Sequence, residues 1–403
     1  MRIAGCGCAL ADLIYTNVAF NGEAMRPLRS RELGDGGVVP GGLVFAEDFQ
    51  KFVGMSSEDA IAALVGGRRP DHFNVGGPAI VALILAAQLL AGDQIAVDYF
   101  GTTGQDELAE RIRTLVAQTP LGTADYTSRP GPTPRTLVLS DPQYDGGHGE
   151  RAFVNQIGTA GEYGPNDLSE RFFDADLVLF GATALMPRLH GSLSRLIVRA
   201  KEKGSLVVVT TVYDFPSEQR APDKPWPLGE DERSWQHMDL LITDREEALR
   251  LSGAATLSEA VDLFRDRRLA ACIITAGPDP VTFYAAEESL FERCQPSTLP
   301  VSSAVGRNKD ACAAGDTTGC GDNFAGGVLA WLACQRAGEK KELRPLSLPV
   351  AAGICAGGAA RFHLGGIKLE SQPGERRREI GQLYADYRSQ VASTVTLPKK
   401  FLG

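Results

Sequence analysis

Residues 315–322 read Gly-Asp-Thr-Thr-Gly-Cys-Gly-Asp and run straight into NFAGGVLAWLACQRAG. Helical spacing puts Phe324, Val328, Trp331 and Leu332 near one face, so the stretch reads as a glycine-rich turn feeding a helix. Such a turn presents several backbone N–H groups at a helix N-terminus, where the aligned peptide dipoles also favour an anion. The amides of Gly319, Cys320 and Gly321 are the candidate donors, and Asp322 sits in the first turn beside them. A carboxylate next to a static anion site would repel its ligand. The pairing makes chemical sense when the carboxylate takes a proton from a hydroxyl whose oxygen then attacks a phosphoryl group held by the amides. For an isolated Gly-x-Gly-Asp, the plainer alternative is an Asp that favours a helix start after an ordinary turn.

The full string favours the chemistry. Asp316-Thr317-Thr318-Gly319-Cys320-Gly321-Asp322 resembles the D-T-x-G-A-G-D signature of the ribokinase-like (PfkB) family of sugar and nucleoside kinases. Cys320 stands where the family has Ala, which leaves the backbone N–H in place. The resemblance extends over most of the chain, from Arg2 to Gly366, and the signature is its strongest part. It implies Asp322 as general base, ATP as phosphoryl donor and magnesium as charge neutraliser. Asp12, a few residues past the first strand, matches the family's Asp that binds substrate hydroxyls; a turn Asp bonded to its own backbone is the alternative. Asn74-Val75-Gly76-Gly77 resembles the Gly-Gly turn that lets a hydroxyl-bearing ligand approach the backbone. The family's Asn, expected at 80 or 81, is replaced by Ile80-Val81, so either Asn74 substitutes or the ligand differs from a standard furanose.

Two further places resemble the nucleotide side of that family. Asp244-Arg245-Glu246-Glu247 matches N-x-x-E with Asp for Asn, and the resemblance implies that Glu247 holds magnesium and phosphate through water. Magnesium keeps several waters and takes few carboxylates, so one acid is enough. A negatively charged first helical turn is the alternative. Thr275-Ala276-Gly277 resembles the T-x-G turn bordering ATP, with Pro280 where the family has Gly. Elsewhere, Arg135 is within reach of a transferring phosphate on this reading or is a surface arginine, and His148 and His363 read as exposed and structural respectively.

The elements that must position these residues follow a βαβα order. Arg2–Cys6, Asp176–Gly181, Ser205–Val212, Leu240–Thr243 and Ala271–Thr275 read as buried strands, separated by helices such as REEALRLSG and LSEAVDLFRDRRL. The expected fold is α/β: a doubly wound, mainly parallel sheet flanked by helices, with ligands at the strand C-termini. A single domain over 1–403 is expected, with a small β lid inserted from 17–50 and 130–157. Leu43–Phe45 reads as a lid strand, and Ser57 as the cap of the helix SEDAIAALVGG. The long first segment is more like the adenosine-kinase branch than like compact ribokinases.

Composition bounds the partners. At 403 residues, 43% hydrophobic and 23% charged, the chain reads as soluble and globular. A net charge of -9 with no basic stripe excludes a nucleic-acid footprint. The longest apolar run, Ile80 to Leu90, is too short to span a bilayer, so no membrane partner is expected. Eight cysteines without a Cys-x-x-Cys pair argue against structural zinc and suit a reducing cytoplasm. The expectation is an ATP- and magnesium-dependent kinase acting on a sugar, with a nucleoside as the nearest alternative acceptor and a homodimer left open. The different-class rival, a nicotinamide-dependent oxidoreductase, rests on Gly5-Cys6-Gly7-Cys8-Ala9-Leu10, an incomplete dinucleotide fingerprint with Leu10 at the third glycine.

Overall fold

The computed structural model describes every residue except 33, 148, 309–311, 313–314, 339–343 and 403. His148 therefore lies outside the described residues. Among the described residues, fourteen strands form two sheets. They are β1 (Arg2–Cys6), β2 (Leu10–Tyr15), β3 (Leu43–Phe45), β4 (His72–Gly76), β5 (Ala96–Thr103), β6 (Gly122–Ser128), β7 (Arg135–Asp141), β8 (Glu150–Gln156), β9 (Leu177–Gly181), β10 (Leu206–Thr210), β11 (Leu240–Asp244), β12 (Ala271–Thr275), β13 (Val281–Ala285) and β14 (Cys294–Leu299).

The larger sheet has the order β14-β13-β12-β11-β10-β9-β1-β5-β6. Its strands from β12 to β6 are parallel, and β13 and β14 add an antiparallel edge. LVLFG, LVVVT, LLITD and ACIIT are short, continuous apolar runs, as strands covered on both faces require. Ile3, Leu177, Leu179, Val208 and Ile273 pack on one side, with helices α3 (Pro78–Leu89), α4 (Glu107–Val116), α8 (Cys320–Ala337), α9 (Ser347–Ala360) and α10 (Glu375–Gln390). Ala4, Val178, Phe180, Val209 and Ile274 pack on the other, with α5 (Leu193–Glu202), α6 (Arg245–Ser252) and α7 (Leu257–Asp266). The sheet is thus the expected doubly wound one. Strand order reverses around β1, so the end of β1 opens on the crevice where such sheets bind ligands.

The second sheet has the order β3-β8-β7-β2-β4. Its strands β3, β7 and β8 lie within the two segments expected to form an insertion, while β2 and β4 come from outside them. Chain register fixes its faces. Phe45, Asn155, Thr136, Asp12 and Asn74 form one row across all five strands. The adjacent row, Val44, Val154, Leu137 and Leu13, points to the other face because side chains alternate along a strand. That other face is closed by the chain's own residues 18–61: Phe20, Met25, Leu28, Phe49 and Ile61 pack on it, the last two from α1 (Ala46–Val53) and α2 (Ser57–Leu64).

Two expectations change here. Ser56, not Ser57, caps α2, its hydroxyl accepting the Asp59 N–H at 3.1 Å. Ser57 is only 1% exposed and turns inward toward Ala46 O, so the first of the two serines is left with the extended cap conformation. Arg135 belongs to the covered face of the second sheet and pairs with Glu58 of α2, away from the cleft.

Candidate active site

After β1 the chain turns at Gly7 and enters the second sheet as β2, which carries Asp12 on the row described above. Asp12 is thus a strand residue and not a turn residue. A Cβ on Gly76 would lie 2.3 and 2.4 Å from the two Asp12 carboxylate oxygens, so only glycine leaves that carboxylate its place. Gly77 follows with φ 105°, and a Cβ there would meet Cys8 O at 2.3 Å; Pro78 then opens α3. The Gly-Gly turn is a space-making device for Asp12 and for the chain crossing beside it.

Across the cleft, Gly319 stands at φ 73° as the residue before α8, and Asp322 lies in the helix's first turn. A Cβ on Gly319 would come within 2.8 Å of Gly366 Cα, whereas one on Gly321 would meet nothing within 4 Å. The Gly321 side is therefore the open side of the turn. Among the described residues, the N–H groups of Gly319, Gly321 and Asp322 make no hydrogen bond, while the Cys320 N–H donates to Thr317 O at 3.3 Å. Among the described residues, Gly319 and Gly321 of the three expected donors are unengaged, and the Asp322 N–H is unengaged where the Cys320 N–H is not. Cys320 turns a half-buried thiol whose ionisation burial pushes up to about 12.

The two acids meet electrostatically. Burial pushes the Asp322 carboxyl up to about 7. Asp12 rises to about 8, through burial first and the Asp322 charge second, against a hydrogen bond from Thr136 that lowers it. A carboxyl poised near neutrality is suited to accept a proton in turnover.

Arg151, at the start of β8 and on the Asp12 face, reaches the same turn. Its guanidinium donates to the hydroxyls of Thr317 and Thr318 and stands 3.8 Å from Asp316. Asp316 in turn accepts from the Thr318 N–H at 2.8 Å and the Thr318 hydroxyl at 2.9 Å. Sequence reasoning missed Arg151. The available signal was the alternation Arg151, Phe153, Asn155 against Ala152, Val154, which puts the arginine on the face opposite the apolar pair.

Asn74 is placed differently from its expected role as a ligand. Its Nδ2 donates to Leu364 O and Ile367 O at 2.9 and 3.1 Å, and its Oδ1 accepts from the N–H of Val75 and Ile367 at 2.7 and 3.1 Å. Every hydrogen-bonding position of the amide is taken. Asn74 is a latch that ties β4 to the loop 364–367, and Asn323 ties the same loop to α8 through Gly366 O at 2.9 Å. Ile80 and Val81, where the family's Asn was expected, are buried in α3.

The remaining expected residues line up at the C-terminal ends of adjacent strands, with Asp244 opposite Thr275. Asp244 caps α6 and forms a reciprocal capping box with Glu247. Glu247 is buried, yet the hydrogen bonds it accepts, from Thr211 at 2.5 Å, Thr243 at 3.3 Å and the Asp244 N–H at 3.3 Å, all fall on Oε2. Burial and the Asp244 charge push its carboxyl up to about 7. Thr211 is a second residue the sequence did not flag. Thr275 donates to Thr243 O at 3.4 Å, and Gly277, at φ 58°, faces open space. These groups form a row separate from the Asp12–Asp322 pair, at the ends of β11 and β12.

Comparison with known proteins identifies the family and the fold. Residues 69–341 match the model of the pfkB family carbohydrate kinase. An adenosine kinase from Schistosoma mansoni, in complex with adenosine and AMP, superposes with a TM-score of 0.66 at 15% identity, covering 91% of this chain and 97% of that one. A protein from Rhizobium etli described as a probable sugar kinase gives 0.66 at 17% identity, over 95% and 98% of the two chains. A protein from E. coli described as a ribokinase II, in complex with ATP and Mg2+, gives 0.62 at 13% identity, over 94% and 99%. At such identities the structures speak for the fold, which is ribokinase-like. The family match spans β4, β7 and β8 of the second sheet, the Asp244–Glu247 row and the signature helix with Asp322, and the chain is a member of the pfkB carbohydrate kinase family.

Proposed function

We propose that the protein transfers the γ-phosphoryl group of ATP to a hydroxymethyl group of a sugar. The observation that carries this reading is the Asp322 carboxyl, pushed up to about 7 in the first turn of a helix whose Gly319, Gly321 and Asp322 amides meet no acceptor among the described residues. Ionised, Asp322 takes the acceptor's proton while the amides hold the phosphoryl oxygens. Arg151 brings a fixed positive charge to the same turn. Asp12 orients the acceptor through its hydroxyls, and closure of the second sheet over the cleft excludes water that would otherwise compete for the phosphoryl group.

The nucleotide and metal side is supported by the row at β11 and β12. Glu247, with Oε1 free of the capping box, fits a magnesium ion held through water, and Asp244, Thr275 and Gly277 border the nucleotide. Bound there, the ion would neutralise charge on the transferred group. The E. coli relative's complex with ATP and Mg2+ supports this assignment. The second reading, a nucleoside acceptor, is favoured by the adenosine kinases among the structural relatives. A cytoplasmic setting is part of the proposal, supported by eight unpaired cysteines.

An ADP-release assay over a panel of sugars and nucleosides tests the reading. One acceptor should raise ADP release well above the ATP-only background, and ATP, not NAD, should raise the melting temperature. A flat panel, or protection by NAD alone, would overturn it.

A further inference from the structure

Asn155 is 1% exposed, yet its side-chain Oδ1 meets no donor among the described residues. A buried amide oxygen without a partner is costly unless something supplies a hydrogen bond. Its position says where that donor would come from. Asn155 sits in register with Thr136 on the neighbouring strand, and Thr136 with Asp12 on the next, so all three share the face that turns toward Asp322. Phe45, the other neighbour in the row, packs edge-on against Phe215 of the main domain, with ring centroids 5.8 Å apart, and cannot donate. The next row on the same face is Ile14, Val138 and Phe153, an apolar strip beside the polar one.

Resting on the proposed kinase reading, we infer that Asn155 is a specificity-determining residue, its Oδ1 accepting a hydrogen bond from a hydroxyl or N–H of the acceptor at the end remote from the phosphorylated oxygen. Strands about 4.8 Å apart put the Asn155 and Asp12 backbones about 9–10 Å apart. One ligand meeting both residues carries donors at its two ends. Phe153, the partly exposed member of the apolar strip between the polar row and Arg151, faces the carbon side of a ring. The chemical class is a polyhydroxylated ring compound bearing a second donor group beyond those held by Asp12. A site built to receive a donor strongly rejects an analogue lacking it, so this contact selects among acceptors without touching the transferred group.

The test uses the full-length protein, the best acceptor from the panel and its deoxy or dealkylamino analogues. Asn155→Ala should raise KM for the best acceptor about tenfold to a hundredfold, with kcat and KM for ATP within threefold of the parent. One analogue, the one lacking the donor that Asn155 reads, should be used equally well by parent and variant. Asn155→Thr, which suits a strand and keeps an oxygen acceptor, should regain part of the lost discrimination. An unchanged acceptor KM in Asn155→Ala would overturn the assignment. So would an equal loss on every acceptor and on ATP, the behaviour of a merely structural side chain. Failure of the kinase reading looks different, because the parent protein then phosphorylates no acceptor and the inference falls with it.

Discussion

The two sheets bound one cleft but are buried in opposite ways. The nine-stranded sheet is covered by helices on both faces, and what it offers the cleft is strand ends: Asp244, Thr275 and, through α6, Glu247. The five-stranded sheet is covered on one face by its own chain and turns the other, with Asn155, Thr136 and Asp12 in a row, to the cleft. Groups at the ends of doubly covered strands are held rigidly and suit the invariant part of a reaction, the phosphates and their charge. A sheet face offers a lattice of side chains that can be altered one by one without disturbing the fold. The difference teaches where each kind of variation is expected: donor and metal dependence on the large sheet, acceptor choice on the small one. Arg151 belongs to the small sheet but ends on the signature turn, and so joins the two.

That division yields predictions of decreasing size. Arg151→Met removes the charge that the small sheet brings to the turn, and kcat should fall by about 10²–10³-fold, with little change in acceptor KM. Steady-state kinetics check it; a change confined to acceptor KM would place Arg151 with the acceptor face. Asp12→Ala should raise acceptor KM by about tenfold to a hundredfold and leave the magnesium profile as it was. Glu247→Gln should do the reverse, raising the magnesium concentration for half-maximal rate by about tenfold with acceptor KM unchanged. An unaltered magnesium curve would return Glu247 to its role in capping α6.

The smallest effect is on stability. Asp322 ionises at about 7 when folded, above the 3.8 of an ordinary Asp, so the folded protein holds the proton more tightly than the unfolded chain. Its contribution is favourable below the unfolded value and is lost as pH rises through about 7. Asp322→Asn should therefore melt higher than the parent at pH 8, by roughly 1–4 °C, with the gap closing toward pH 4. Calorimetry at the two pH values measures it.

Much of this was legible in the sequence. Continuous apolar runs such as LVVVT and ACIIT gave the buried strands, and the glycine-rich turn before an apolar helix placed Asp322, Gly319 and Gly321 together. What was hidden depended on contacts between distant segments. Asp12 left a turn residue open as the alternative, since β2 becomes a strand only by pairing with β4 and β7, some 60 and 120 residues further on. Asn74 looked like a ligand because it neighbours Gly76; its true partners, Leu364 and Ile367, lie 290 residues or more away. Arg135 and Arg151 each lie at the start of a strand, and while alternation hints at the face of Arg151, strand register is what puts Arg135 on the covered face and Arg151 in the cleft. The capping serine was missed by one residue because two adjacent serines offer the same chemistry.

The central claim is that Asp322, held near neutrality by burial, is the proton acceptor in phosphoryl transfer. The most direct test is the pH dependence of the single-turnover rate, at saturating ATP and acceptor, for the parent protein and for Asp322→Asn. The parent rate should climb with pH through a titration near 7 and level off above it, since only the ionised carboxylate accepts the proton. Asp322→Asn should be slower by about 10²–10⁴-fold and should lack that titration, with ATP binding retained. The same rise near pH 7 in the variant, or a rate within a few-fold of the parent, would contradict the account.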